Sequence, residues 1–363
     1  MRQALLYKKN KKLSSKLITC TACQWYCKIP PGGLGVCGVR ANLKNKLYLL
    51  VHSYPSAVNL DPIEKKPLFH FLPGSLIYSI GTLGCNFGCQ FCQNWQLSQS
   101  PKLLRNQVIK QTGSVNQATK AVQKLIKEQS IYLPPKKVVA QALASGVKSI
   151  AFTYNEPTIF AEYAYNVMKE AKKHHLKGVF VSSGFETKEA LNLLDPYIDA
   201  YNIDLKGASE KFYQQVTHTK LKPVLKTIKE IYRRGKWLEI TTLLIPGYNT
   251  SQKDLKFMAQ FIASLSPDIP WHVSAFYPHY KMLHVPPTSL NILKRAYQIG
   301  KKAGLKYVYT GNIPHQDTES TYCPNCHRLL IKRQGYLTEN VGLDLKKGQC
   351  RFCHTKIAGV WQT

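Results

Sequence analysis

From residue 75 onward the chain alternates short, mostly apolar runs with longer amphipathic ones. Strand-like runs are LIYSIGT (76–82), SIAFTYNEP (149–157), GVFVSSG (178–184), AYNIDLKG (200–207), LEITTLLIPG (238–247), WHVSAFYP (271–278) and KYVYTGN (306–312). Between them, apolar residues recur at helical spacing in PPKKVVAQALASG, TIFAEYAYNVMKEAKKHH, TKEALNLLDPY, LKPVLKTIKEIYRRG, SQKDLKFMAQFIASL and TSLNILKRAYQIGKKAG. A strand that must be followed by a helix before the next strand predicts an α/β fold with parallel strands, closed into a full or partial TIM-like (β/α) barrel. In that architecture the functional loops follow the strand ends.

The flanks lack this alternation. Residues 1–74 read as a four-Cys module and lead-in, 75–312 as the barrel, and 313–363 as a second small module. Within the lead-in, KLYLLVHS is strand-like, and His52 and His70 read as packed or surface histidines. The 96–132 connection is Gln- and Lys-rich, with Val115, Ala118, Val122, Leu125 and Ile126 at helical spacing. It predicts one amphipathic helix, either covering the barrel or solvated.

Composition sharpens this picture. At 363 residues and 44% hydrophobic content the chain can bury a large core, and its N-terminus MRQALLYKKNKKL lacks the apolar stretch of a signal peptide. With no run long enough to span a membrane, the expected compartment is a reducing cytoplasm. The net charge of +30 favours an acidic or polyanionic partner without naming one, so nucleic acid stays open.

The eleven cysteines partition as Cys20, Cys23, Cys27 and Cys37, then Cys85, Cys89 and Cys92, then Cys323, Cys326, Cys350 and Cys353. The last set, C-x2-C and C-x2-C flanking the strand-like LLIKRQGYL, has the spacing of a zinc ribbon. The first, C-x2-C-x3-C-x9-C around Pro30, Pro31, Gly32, Gly33 and Gly35, suits either structural zinc or a second iron–sulfur cluster. The middle three sit as C-x3-C-x2-C in GTLGCNFGCQFCQNW, directly after the first barrel strand. A [4Fe-4S] cubane ordinarily takes four thiolates, so a three-thiolate loop leaves one iron for a non-protein ligand.

That loop, with Phe91 at its aromatic position, resembles the C-x3-C-x-aromatic-C signature of radical S-adenosylmethionine (SAM) enzymes. The order of GTLGCNFGCQFCQNWQLSQ, AFTYNEPTI, DLKG, PGYN, WHVS, YTGN and CPNC is similar to the radical SAM protein of the AmmeMemoRadiSam system, itself related to pyruvate formate-lyase and other glycyl-radical activating enzymes. The resemblance implies a cluster on Cys85, Cys89 and Cys92 that reductively cleaves SAM to a 5'-deoxyadenosyl radical, with hydrogen abstraction from a protein substrate to follow. It also implies SAM contacts at Asn155 and Glu156 of TYNEP, where Tyr154 and Asn155 replace two glycines, at Ser182 of SSGF, and at Asp204 and Lys206 of DLK. Phe91 belongs to the same cofactor site, and both charged strand-end residues, Glu156 and Lys206, are expected to be exposed. Implied partners are a flavodoxin or ferredoxin as reductant and a Memo-like protein. His279 is offset from the family's PYH pattern, and His272 reads as lining the barrel. No catalytic residue beyond the cofactor ligands is identified. An RNA-modifying radical SAM enzyme and a non-catalytic metal-binding scaffold are the alternative functions.

Overall fold

The computed structural model describes residues 1–9, 16–313 and 316–362. These form two compact units, one of Met1–Leu60 with Tyr78–Asp199, the other of Asp61–Ile77 with Ala200–Thr363. Most of the basic stretch near the N-terminus, residues 10–15, lies outside the described residues.

The first unit opens with three short antiparallel strands, β1 (Tyr7–Lys9), β2 (Ile18–Cys20) and β3 (Lys28–Ile29). A hairpin of β4 (Arg40–Leu43) and β5 (Lys46–Leu49) follows, turning through Lys44 and Asn45 with φ of 51° and 59°. Two consecutive left-handed residues match the right-handed twist of the strands they join. Then come the parallel strands β6 (Leu76–Gly81), β7 (Ser149–Phe152) and β8 (Lys177–Ser182). Ile80, Ile150, Phe152, Val179 and Phe180 are wholly buried, as expected of parallel strands covered on both faces.

The helices of this unit are α1 (Trp95–Thr112), α2 (Val115–Glu128), α3 (Pro135–Ala144), α4 (Ala161–Ala171) and α5 (Lys188–Leu194). The 96–132 connection therefore holds two helices where one was expected. Only α2 has an apolar buried stripe, of Ala118, Val122 and Ile126; the buried face of α1 is Ser98, Gln99 and Pro101. A helix without a hydrophobic stripe leaves no periodic signal.

The second unit runs β9 (Ala200–Asp204), α6 (Leu221–Arg233), β10 (Trp237–Leu244), α7 (Gln252–Leu265), β11 (Trp271–Ala275), α8 (Leu290–Lys302) and β12 (Val308–Gly311). Its four strands are parallel. The expected strand and helix alternation is present, but a full barrel is not: among the described residues, no pairing within either unit closes its strands into a ring. The chain ends in two small hairpins, β13 (Leu329–Gln334) with β14 (Leu337–Asn340), and β15 (Leu343–Asp344) with β16 (Gln349–Cys350).

The core of the second unit contains a charged hub that hydrophobic patterning does not reveal. Glu239 on β10 is wholly buried and accepts from Phe69 N (2.9 Å), His70 N (2.8 Å) and Trp237 Nε1 (2.9 Å), with His272 Nε2 at 2.7 Å. Burial opposes its ionisation, but His272 and the other partners hold its carboxyl below the usual range. His70 lies between Tyr309 Oη (2.6 Å) and the Ala358 carbonyl (2.7 Å), and burial pushes it down to about 4. His272 thus packs in the core, and in the first unit His52 meets Ser53 Oγ and Asn166 Nδ2, each at 3.0 Å.

Candidate active site

The loop from Thr82 to Asn94 carries the cysteine triplet between β6 and α1. Cys85, Cys89 and Phe91 are buried and Cys92 is half-buried. Gly84 has a φ of +92°, and a Cβ there would stand 2.7 Å from the Cys37 carbonyl, so only glycine fits. The Phe87 N–H points at Cys85 Sγ (3.4 Å), and Ser98 Oγ lies 3.2 Å from Cys92 Sγ.

The end of β7 holds this loop in place. Asn155 donates from Nδ2 to the Gly84 carbonyl (2.7 Å) and to Thr82 Oγ1 (3.2 Å), and its Oδ1 accepts from Thr82 N (3.3 Å). Asn94 Nδ2 donates to the Tyr154 carbonyl (2.8 Å). Tyr154 adopts a φ of 71°, a conformation that costs a bulky residue energy. The backbone here keeps a glycine-like geometry although the glycine is absent.

Glu156 departs from the expected exposed charge: it is 1% exposed. Its Oε1 accepts from Thr158 N (3.1 Å), Thr158 Oγ1 (2.7 Å) and Ser182 Oγ (2.8 Å), and its Oε2 from Ser183 N (2.7 Å). Ser182 Oγ also lies 2.6 Å from Glu186 Oε1. One hydroxyl proton cannot serve two carboxylates. Burial, and next the charge of Glu156, push the Glu186 carboxyl up to about 8. Burial and the neighbouring Glu156 charge therefore favour the protonated form of Glu186, which relieves the repulsion between two carboxyls that share Ser182.

The four N-terminal cysteines pack against the same loop. Cys20, Cys23 and Cys37 are buried and Cys27 is half-buried. Trp25 Nε1 donates to the Asn86 carbonyl (2.9 Å), Gln24 Nε2 to the Glu186 carbonyl (2.6 Å), and Cys23 bridges Glu186 through the backbone. Arg40, buried, forms an ion pair with buried Glu162 and donates from Nε to the Ile159 carbonyl (2.8 Å). From α1, Arg105 Nη1 reaches the Gly35 carbonyl (3.0 Å) and Lys102 Nζ the Phe87 carbonyl (2.5 Å). Burial pushes the Cys20 thiol up to about 12 and Cys85 to about 11, against the pull of Arg40 and Lys102 respectively.

Asp204 and Lys206 belong to the second unit, where Lys206 Nζ meets Asp204 Oδ2 at 2.6 Å with the lysine largely buried. Asn249 of IPGYN donates to the Lys206 carbonyl (2.8 Å), which fixes the DLK turn to the end of β10. In the same unit the sulfur atoms of Cys323, Cys326, Cys350 and Cys353 all lie within 4.8 Å of one another. Lys102, Arg40 and Glu186 were not singled out in the sequence, since charges far apart in sequence form no motif.

Residues 79–259 match the Radical SAM superfamily model. Over 360 residues the chain is 36% identical to the uncharacterized protein MJ0808 of Methanocaldococcus jannaschii, covering 98% of this chain and 99% of that protein. It is 20% identical over 128 residues to the isethionate sulfite-lyase activating enzyme of Oleidesulfovibrio alaskensis, covering 34% of this chain and 41% of that enzyme. A domain of pyruvate-formate lyase-activating enzyme from Bacteroides vulgatus aligns in structure at 22% identity with a TM-score of 0.39, covering 45% of this chain and 98% of that domain.

Proposed function

Because the chain belongs to the radical SAM superfamily and is an enzyme, we propose that Cys85, Cys89 and Cys92 hold a [4Fe-4S] cluster that supplies reductive cleavage of SAM to a 5'-deoxyadenosyl radical. The observation that carries this reading is the staple from Asn155 to Gly84 and Thr82, which ties the triplet loop to the strand end bearing Glu156. The fit to a cluster is chemical as well. Three thiols share one loop with a backbone N–H aimed at Cys85 and the half-buried Lys102 of α1 beside them, the donor set and charge compensation an iron–sulfur group needs.

The protein's own residues then have definite tasks. Phe91 walls the triplet loop from solvent. Asn155 holds the triplet loop, Ser182 and Ser183 hold Glu156, whose carboxylate receives the SAM ammonium, and Lys206, steadied by Asp204, neutralises the SAM carboxylate. The substrate is a protein from which hydrogen is abstracted, in the manner of glycyl-radical activating enzymes, and the group is that of the AmmeMemoRadiSam system with a Memo-like partner. A flavodoxin or ferredoxin supplies the electron, and zinc at Cys323, Cys326, Cys350 and Cys353 is structural. The cytoplasm is the proposed compartment; among the described residues no helix is long and apolar enough to cross a membrane.

The test is anaerobic reconstitution with iron and sulfide followed by 5'-deoxyadenosine measurement under reductant. The parent chain should form it, and a Cys85→Ala/Cys89→Ala/Cys92→Ala chain should form none. Equal yields from both would overturn the proposal.

A further inference from the structure

The protein contains two four-cysteine sets, and they differ in a way that identifies what each can hold. A single zinc ion with Zn–S bonds of about 2.3 Å sets its sulfurs about 3.8 Å apart at the tetrahedral angle. In the C-terminal set Cys323 Sγ lies 3.6 Å from Cys353 Sγ, and Cys326 Sγ 3.7 Å from Cys350 Sγ. That set is a zinc-sized cage already. Among the described residues it is the one cysteine group whose ligand atoms all fall within 4.8 Å. Among the described residues, neither Cys20, Cys23, Cys27 and Cys37 nor the triplet forms a group within that 4.8 Å span. An iron–sulfur cluster spreads its thiolates over separate irons and needs a wider spacing.

A second observation sits between the two N-terminal sets. Asn86, next to Cys85, is 1% exposed, and its buried amide is directed at the Cys23 sulfur. Its side chain faces Cys23, while its Oδ1 lies 4.0 Å from Cys85 Sγ. The amide thus supplies Cys23 with the N–H contact that favours a thiolate ligand. Backbone N–H groups of Ala22, Trp25 and Val36 are directed at Cys20, Cys23 and Cys27 in the same way. Lys102 interacts with Cys85 and Cys89 as well as with Cys37, and the Cys37 carbonyl abuts Gly84. The two cysteine sets are therefore in backbone contact.

We infer that Cys20, Cys23, Cys27 and Cys37 hold an iron–sulfur cluster, not zinc, and that it passes electrons to the triplet site through the contact of Cys37 with Gly84 and the bridging amide of Asn86. A cluster on these four cysteines would accept one electron from a low-potential, one-electron donor protein and pass it to a cluster on Cys85, Cys89 and Cys92. No bond forms or breaks in the transfer. The relay role rests on the proposed function, but the identity of the metal does not.

The full-length Cys85→Ala/Cys89→Ala/Cys92→Ala chain, reconstituted anaerobically, separates the two. It should keep at least about two irons with matching sulfide, an electron paramagnetic resonance signal on reduction, and about one zinc per chain. A chain with no iron and about two zincs would overturn the inference while leaving the triplet reading intact. If instead Cys27→Ser removes all iron from an otherwise native chain, the proposed function fails and this inference stands. For the relay, Cys27→Ser should lower the ratio of the SAM cleavage rate with reduced flavodoxin to that with dithionite at least about tenfold. Equal slowing with both reductants overturns the relay. Asn86→Leu, which keeps every ligand, should shift the potential of the N-terminal signal; an unchanged potential counts against the amide's role.

Discussion

The two four-cysteine regions start from the same ligand count and arrive at different structures. In the C-terminal region, two C-x2-C knuckles close their sulfurs to 3.6 and 3.7 Å and leave Cys326 and Cys353 half-buried. In the N-terminal region the ligands arrive one by one from β2, the turn after it and the Gly-rich loop, and are keyed to α4 by the Arg40 and Glu162 pair. A closed cage needs little from its surroundings. A wide one depends on neighbours that supply charge and hydrogen bonds, and those neighbours include the triplet loop.

If that contrast holds, the largest effect should come from the buried ion pair. Arg40→Ala strands the Glu162 carboxylate in the core and should cost about 3–5 kcal/mol, read as a lowered denaturation midpoint together with loss of N-terminal iron. A variant of normal stability would show that Glu162 finds another partner. On the other side of the comparison, Cys326→Ser should remove about one zinc per chain and make residues 316–362 the first segment cut by limited proteolysis. Iron should not change. Zinc that stays would break the contrast from the C-terminal end.

A smaller effect is expected from Glu156→Gln. The amide nitrogen would oppose donors at Thr158 or Ser183, costing about 1–3 kcal/mol and weakening SAM binding. A stability equal to the parent's would mean the carboxylate can be replaced without loss. A pH slope is expected as well. Glu186 titrates at about 8 when folded against an ordinary value of 4.5, so its protonated form is bound more tightly by the native state. Its contribution is full below about pH 4.5, declines as the unfolded chain ionises, and is gone above pH 8. Denaturant midpoints should fall across that window, and Glu186→Gln should flatten the fall. Because Glu186 bridges Cys23 through the backbone, the same substitution tests how far the N-terminal site depends on this carboxyl. An unaltered slope would assign the titration elsewhere.

Much of this was legible in the sequence, for identifiable reasons. The seven strands from residue 76 to 312 announced themselves because parallel strands covered on both faces are almost purely apolar. The cysteine groups were legible because ligand spacing is written along the chain. Helix α1 was not, since Ser98, Gln99 and Pro101 are buried against a loop and leave no apolar period. Nor was the burial of Glu156, which is set by Ser182 and Ser183 about 26 residues on, across a strand pairing that no local window contains. Whether the barrel is full or partial was left open for a related reason: alternation specifies parallel neighbours and nothing about closure.

The most direct measurement is the electron paramagnetic resonance spectrum of the reduced, anaerobic full-length chain with and without SAM. Two cluster signals, of which SAM shifts the one lost in the Cys85→Ala/Cys89→Ala/Cys92→Ala chain and leaves the other unmoved, are what the account predicts. A single signal indifferent to SAM would contradict it.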